Sequence, residues 1–183
     1  MELGNALADV LFGDYNPGGR LIQTWPKSME QLPPMMDYNI RHGRTYMYFK
    51  GEPLYPFGYG LSYTSFKYND LRIDGGKLKA NGEVNIIVSL ENTGKCEGDE
   101  VVQLYVKHLD SKASRPLEEL KAFNRVTLKP GEKKDIVLVL KAKDLAYWDE
   151  ASKKFVVEAD HIQLLVGSSS ADIKLQKTLA VER

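Results

Sequence analysis

Cysteine and histidine are scarce in this chain of 183 residues, which holds one Cys (Cys96) and three His (His42, His108, His161). A single thiol closes no internal disulfide and builds no zinc site with its own kind. The histidines are far apart, with no cysteine beside them and no partner at i+4, so no metal motif is expected and no cofactor is implied. Charge of one sign is missing too: 25 Lys and Arg cancel 25 Asp and Glu. No basic excess therefore points to nucleic acid. No apolar run nears the roughly 20 residues that cross a bilayer, so no membrane partner is expected. The opening MELGNALADVLFG lacks the basic start of a signal peptide, and the compartment is left unmarked.

Motifs of nucleophilic and phosphate chemistry are also lacking. Ser62 sits in GLSYT, without the glycines of a hydrolase elbow. Gly58-Tyr59-Gly60 has no lysine and no following helix, so it is no phosphate cradle. Glycosidic chemistry needs two carboxylates facing one bond. Asp14, Glu30, Asp37 and Glu52, the loop acids of the first segment, show no spacing that pairs them and read as solvated.

What is present is ordinary globular material, 43% hydrophobic and 27% charged. Leu3, Ala6, Leu7, Val10 and Leu11 recur at helical spacing, and Gly13 follows where a helix commonly ends. DYNPGG is a dense turn signal, and RLIQTWP reads as a short strand closed by Pro26. Helix, turn and strand form the second half of a βαβ unit. Residues 27–45 read as loop, and TYMYF (45–49) as a short strand.

From Phe66 onward the pattern is all β. FKYNDLRI, EVNIIVSLENTG, DEVVQLYVKHL, FNRVTLK, KKDIVLVLK, KFVVEA, HIQLLVG and IKLQKTLAV are strand candidates. Val84, Ile86, Val88 and Leu90 alternate with mostly polar neighbours, and Ile136, Leu138 and Leu140 share one face. Val137 and Val139, on the other face, call for a cover such as a long loop. Pro130 and Gly131 supply a turn, KDLAYWDE one helical turn, and Trp148 a plug for one end. Seven or eight strands over about 115 residues describe a two-sheet, immunoglobulin-like sandwich. The fold class is thus mainly β, with a short α/β remnant ahead of it. Cys96, in the connection NTGKCEGDE, reads as an ordinary small residue.

Between the two parts lies PLYPFGYGLSYTSF (53–66), with five aromatic rings and two glycines. Three readings are open: a platform on which a sugar stacks, a joint between two bodies, or a core segment. Its position, where the α/β pattern yields to the β pattern, favours the joint. The joint residues are Tyr55, Phe57, Gly58, Tyr59, Gly60, Tyr63 and Phe66. The domains are then 1–52, the α/β remnant; 53–66, the joint; and 67–183, the β-sandwich.

GNALADVLFGDYNPGGRLIQTWP followed by PLYPFGYGLSYTSF resembles the C-terminal portion of glycoside hydrolase family 3. NTGKCEGDEVVQLYV, RPLEELKAFNRVTLKPGE and DLAYWDE resemble that family's fibronectin type III-like domain, in the same order. HGRTYMYFKG (42–51) leans towards the β-xylosidase-like branch. The resemblance implies a parent enzyme that is a retaining exo-β-glycosidase of the β-glucosidase or β-xylosidase type. Its nucleophile, an aspartate in a barrel, and its acid/base, a glutamate upstream in the α/β domain, match no position here. The expectation is a non-catalytic accessory region that braces the α/β domain and is inactive alone; a carbohydrate-binding or protein-interaction module is the alternative. Met1 stands where family members run on. The partners implied are therefore the upstream barrel and α/β domains, with self-association through the N-terminal helix. The resemblance also implies a periplasmic or secreted protein; loop 35–46 reads first as a plain surface loop, the alternative being that it reaches the active-site rim of a full enzyme with Tyr38 and Arg41 as candidates. The first 25 residues, lacking their sheet, are expected to be displaced, disordered or packed onto the sandwich or a neighbouring copy.

Overall fold

The structure, a computed structural model, describes residues 2–182, so Met1 and Arg183 lie outside the described residues. The chain opens with helix α1 (Glu2–Phe12), a 3₁₀ turn (Met29–Gln31) and a short helix α2 (Thr45–Tyr48). The strands β1 (Phe66–Asp74), β2 (Lys77–Lys79), β3 (Glu83–Asn92), β4 (Gly98–His108), β5 (Glu119–Leu128) and β6 (Lys133–Lys141) follow. A 3₁₀ turn (Ala142–Leu145) leads to β7 (Tyr147–Asp149), β8 (Lys154–Val156), β9 (Asp160–Ser169) and β10 (Asp172–Glu182).

Two sheets form the sandwich, one ordered β1-β3-β6 and the other β2-β10-β9-β4-β5, while β7 and β8 make a separate hairpin. All pairings are antiparallel except β2 with β10. Alternation fixes which residues meet between the sheets, because successive side chains on a strand point to opposite faces. Val84, Ile86, Val88 and Leu90 of β3 and Ile136, Leu138 and Leu140 of β6 are buried against Val102, Leu104 and Val106 of β4 and Ile162, Leu164 and Val166 of β9. Apolar burial there supplies the main driving force for the fold.

Strand β4 departs from simple alternation, being buried on both faces from Val102 to Val106. Gln103 and Tyr105 point away from the core and are nevertheless buried. They lie beneath the run 53–66, which packs on the outer face of the five-stranded sheet. Tyr46 stacks on Phe57 at 4.3 Å between ring centroids, and both rings meet Tyr105 edge-on.

Several expectations are corrected. TYMYF is not a strand: Thr45–Tyr48 closes one helical turn, with Phe49 N–H donating to the Thr45 carbonyl. RLIQTWP forms no strand beyond one bridge, Trp25 to Tyr55. Its partner segment carries Pro53 and Pro56, which have no N–H to offer a ladder. Val137 and Val139 have no cover and stay exposed, since the outer face of the three-stranded sheet is open. Trp148 is no plug: it is half exposed on the β7–β8 hairpin against Phe155, while Ala142 and Leu145 are the buried residues of the preceding turn. Of the first 25 residues, Asn16, Gly18 and Arg20 do pack onto the sandwich, at Glu97, Asp99 and Glu100, whereas α1 is an ordered helix with no buried residue. Tyr63 donates its hydroxyl to the Val10 carbonyl at 2.7 Å, and Tyr15 N–H bonds the Asp9 carbonyl. These bonds hold the helix while its apolar side faces away.

Candidate functional site: the joint and its uncovered face

The run 53–66 is stitched to the turn ahead of it and to the sandwich behind. On the near side, Leu21 N–H bonds the Tyr59 carbonyl, Gly58 N–H the Leu21 carbonyl, and Trp25 exchanges bonds with Leu54 and Tyr55. On the far side, Ser170 N–H bonds the Phe57 carbonyl and Thr93 N–H the Ser65 carbonyl. Asn16 spans both: its carbonyl accepts from Ser62 Oγ and Tyr63 N–H, and its amide donates to the Glu97 carbonyl at 3.0 Å. Thr64 Oγ1 reaches the fully buried Asn92 at 2.6 Å.

Both joint glycines are dictated by close approach. Gly58 has φ +82°, and a Cβ there would fall 2.2 Å from Gln103 Oε1. A Cβ on Gly60 would fall 2.4 Å from the Gly19 carbonyl oxygen. Such contacts are closed to any other residue without movement of the strip beneath.

A buried ion pair sits at the centre. Arg20 Nη2 meets Glu100 Oε2 at 2.9 Å, and Tyr68 donates to Glu100 Oε1 at 2.8 Å. Burial pushes the Glu100 carboxyl above its ordinary range, against the pull of Arg20 and the Tyr68 hydroxyl. Burial likewise pushes the Tyr68 phenol up, with the Glu100 charge adding to it. The Nε of Arg20 is buried without a partner among the described residues. Sequence reading missed this network, although one signal was available. Glu100 shares the inward register of Val102, Leu104 and Val106, a place where a lone carboxylate requires a partner.

Of the predicted joint residues, Phe57, Gly58, Tyr59, Gly60 and Phe66 are wholly or partly buried, while Tyr55 and Tyr63 keep exposed rings. Tyr55 and Tyr59 are 5.2 Å apart and, with Val10, Leu21, Trp25 and Leu61, line an open groove of about 700 Å³. Leu3, Leu7 and Leu11 of α1 are also exposed.

Tyr38 and Arg41 point outward from a knotted loop, and neither side chain is hydrogen-bonded among the described residues. Arg44 ties the knot by donating to the Asp37 and Pro34 carbonyls, and Asp37 holds His42 at 2.6 Å. That bond, with one from Asn39 N–H, keeps the Asp37 carboxyl below its ordinary range.

A second polar cluster, unforeseen from sequence, lies at the far end of β4 and β9. His108, Glu158 and Asp160 bring ligand-type atoms within 4.8 Å of one another. The two carboxylates are already engaged, whereas His108 Nε2 is buried without a partner among the described residues. Asp160 receives His108 Nδ1 at 2.6 Å and the Asp110 N–H at 2.8 Å. Glu158 receives Lys112 N–H, the Ser111 hydroxyl and Arg115. The cation serving this cluster is therefore Arg115, which also donates to the Leu145 carbonyl and lies 4.5 Å over the Tyr147 ring. Burial pushes the His108 imidazole below its ordinary value, and Arg115 adds to the effect.

A β-sandwich carrying a helical α/β tail is the class these features define. Comparison with known families places it further: residues 1–63 match the glycosyl hydrolase family 3 C-terminal domain, and residues 100–170 match the fibronectin type III-like domain. The chain belongs to the C-terminal region of glycosyl hydrolase family 3. It is similar to thermostable β-glucosidase B of Acetivibrio thermocellus, at 41% identity over 98% of this chain and 25% of the relative. A β-xylosidase of Formosa agariphila is also 41% identical, over 93% of this chain and 24% of its own length. Among solved structures, the β-glucosidase of Kluyveromyces marxianus in complex with glucose superposes with a TM-score of 0.88 at 40% identity. That match covers 99% of this chain and 23% of the Kluyveromyces protein. The chain thus spans about a quarter of the length of the curated relatives it matches.

Proposed function

We propose that this chain is the non-catalytic C-terminal accessory region of a retaining exo-β-glycosidase, and that it braces the enzyme's α/β domain. The β-glucosidase or β-xylosidase type follows from the relatives. The observation that carries the reading is the exposed apolar surface of Leu3, Leu7 and Leu11 on α1 and of the Trp25–Tyr55–Tyr59 groove, which Val10 joins, mounted on a joint that is fixed to the sandwich. Exposed apolar area of this extent is a common mark of a protein interface. The joint gives that interface a rigid base, because its glycines and the Arg20–Glu100 pair leave little freedom between tail and sandwich. In this reading the exposed Tyr38 and Arg41 serve as rim residues of the full enzyme's active site.

The test is reconstitution. The upstream three quarters of the Acetivibrio thermocellus relative, expressed separately and mixed with this chain, is expected to co-elute with it and to hydrolyse an aryl β-glucoside. The chain alone is expected to turn over none. Failure to co-elute, or turnover by the chain alone, overturns the reading. Exposed Trp25 and Tyr55 rings favour one alternative, a carbohydrate-binding module. Micromolar binding of cello- or xylo-oligosaccharides in a calorimetric titration would select it.

A further inference from the structure

The connection between β4 and β5, residues 109–118, is a strap with two fastenings. At its start, Asp110 N–H donates to Asp160 Oδ1 at 2.8 Å and Lys112 N–H to Glu158 Oε2 at 3.2 Å. The Ser111 hydroxyl and Arg115 donate to the other oxygen of Glu158, and Arg115 also reaches the Leu145 carbonyl at 3.1 Å. The side chains of Asp160, Glu158 and Arg115 are all more than nine-tenths buried. At its end, Leu117 N–H bonds the Met47 carbonyl, so the strap also ties α2 of the tail to the sandwich.

The first fastening hangs on His108. Asp160 holds the strap with one oxygen and His108 Nδ1 with the other, at 2.6 Å. The opposite ring nitrogen, Nε2, is buried and has no partner among the described residues. That arrangement suits a neutral imidazole, which gives its one proton to Asp160 and keeps Nε2 as a bare acceptor. A second proton would turn Nε2 into a buried donor with nothing to bond, and would set another positive charge near Arg115. Asp160 and Glu119 pull the other way. Glu158, the remaining charged group of the cluster, has its oxygens spent on Lys112, Ser111 and Arg115. Burial and Arg115 prevail, and the ring is held below its ordinary value. Outside the cluster, the exposed His161 bonds the Asp110 carboxylate at 2.6 Å.

We propose that residues 109–118 form an acid-released strap: when His108 takes up a proton, the Asp160–Glu158 fastening opens and α2 loses its tie to the sandwich. The fold decides which part gives way. His108 and Asp160 sit on β4 and β9, which are both interior strands of the five-stranded sheet. The strap is an irregular connection held at this end by hydrogen bonds to the same two carboxylates, so it opens at lower cost than either strand. Opening frees the Asp160 and Glu158 oxygens and lets the charged ring find water or a new acceptor. The inference rests on contacts within this chain and not on the bracing role.

The experiment is amide hydrogen exchange of the chain, read by NMR between pH 7.5 and 5.0 as protection relative to an unstructured peptide. Protection at Asp110, Lys112 and Leu117 is expected to fall together, roughly tenfold per pH unit below 6.5, because the opened form binds a proton that the closed form refuses. It should also stay roughly tenfold or more below that of Val88 and Leu164 in the interior strands, and ignore low urea, which marks a local opening. His108→Gln should remove the pH dependence from all three amides, and His161→Gln should leave it in place. Should the first variant fail to fold, the native chain decides, since its His108 ring protons should titrate below pH 6.5. Unchanging protection across this range, protection equal to that of the interior strands, or a pH response lost in His161→Gln would overturn the proposal. So would a His108 midpoint at or above 6.5.

Discussion

Arg20, from the turn after α1, and Glu100, from β4, meet at 2.9 Å although 80 residues separate them. Both are almost wholly buried, so the pair fastens tail to sandwich inside the protein rather than on its surface. Arg20→Met removes the only cation touching Glu100 among the described residues. Breaking a buried pair from one side costs about 3–5 kcal/mol, because the remaining charge has no compensation. Glu100 has a raised folded pKa, so its favourable term is full below the unfolded value of 4.5 and is lost as pH rises through the folded value. The variant should therefore unfold more easily in urea at pH 8 than the native chain, with a smaller gap at pH 5. The double variant Arg20→Met with Glu100→Gln should recover much of the loss.

Gly58 and Gly131 separate conformational strain from collision. Both have positive φ, +82° and +75°, but a Cβ at Gly131 meets nothing within 4 Å. Gly131→Ala should cost about 1 kcal/mol from backbone strain alone. Gly58→Ala should cost about 3 kcal/mol, since it also drives into Gln103. Equal effects in thermal or urea unfolding would remove the close approach at the joint from the explanation.

Two buried groups should bend the pH profile in opposite directions. His108 is held neutral below its ordinary value of 6.5. As pH falls through 6.5 the unfolded chain takes up a proton that the folded chain does not, so stability is lost towards acid. Asp160, Arg115 and Glu119 face this imidazole, and Asp160 accepts from its Nδ1. Glu118, raised to about 7, acts the other way: its term is full below 4.5 and is lost as pH rises through about 7. Glu118→Gln should then stabilise the chain at pH 8 by about 1 kcal/mol, after allowance for partial solvent access, and hardly at all at pH 4.5. His108→Gln should flatten the acid side only. Urea midpoints across pH 4.5–8 read both, and a profile unchanged by either variant would remove these groups as its cause.

Sequence patterning revealed β3 and β6 well, because each has one face in the core and one nearer water. Ile136, Leu138 and Leu140 are buried while Val137 and Val139 are exposed. Strand β4 was harder to interpret face by face, since Gln103 and Tyr105 are covered by a segment from elsewhere in the chain. TYMYF misled because aromatic alternation favours a strand only where a partner strand exists, and none runs beside it. The run 53–66 was legible as a closely packed segment, through its glycines and rings. Its bonding was not: Arg20 with Glu100 and His108 with Asp160 are pairings across 80 and 52 residues, which local pattern cannot reveal. Glu100 alone left a trace, as a charge in an apolar register.

Helix α1 carries the last prediction. Leu3, Leu7 and Leu11 occupy one side at helical spacing, and all are more than half exposed. Val10 of the same helix lines the groove of Trp25, Tyr55 and Leu61, so that groove begins at α1. Two copies of the isolated chain can cover each other through this surface. The chain should therefore show a mass that rises with concentration in sedimentation velocity. Leu7→Glu with Leu11→Glu should return it to a monomer at every concentration, with little change in urea midpoint, because neither residue is in the core. The same variant should abolish co-elution with the upstream portion of the Acetivibrio thermocellus relative if one surface serves both contacts. Retained co-elution by a monomeric variant would place the bracing contact elsewhere, on the groove or the knotted loop.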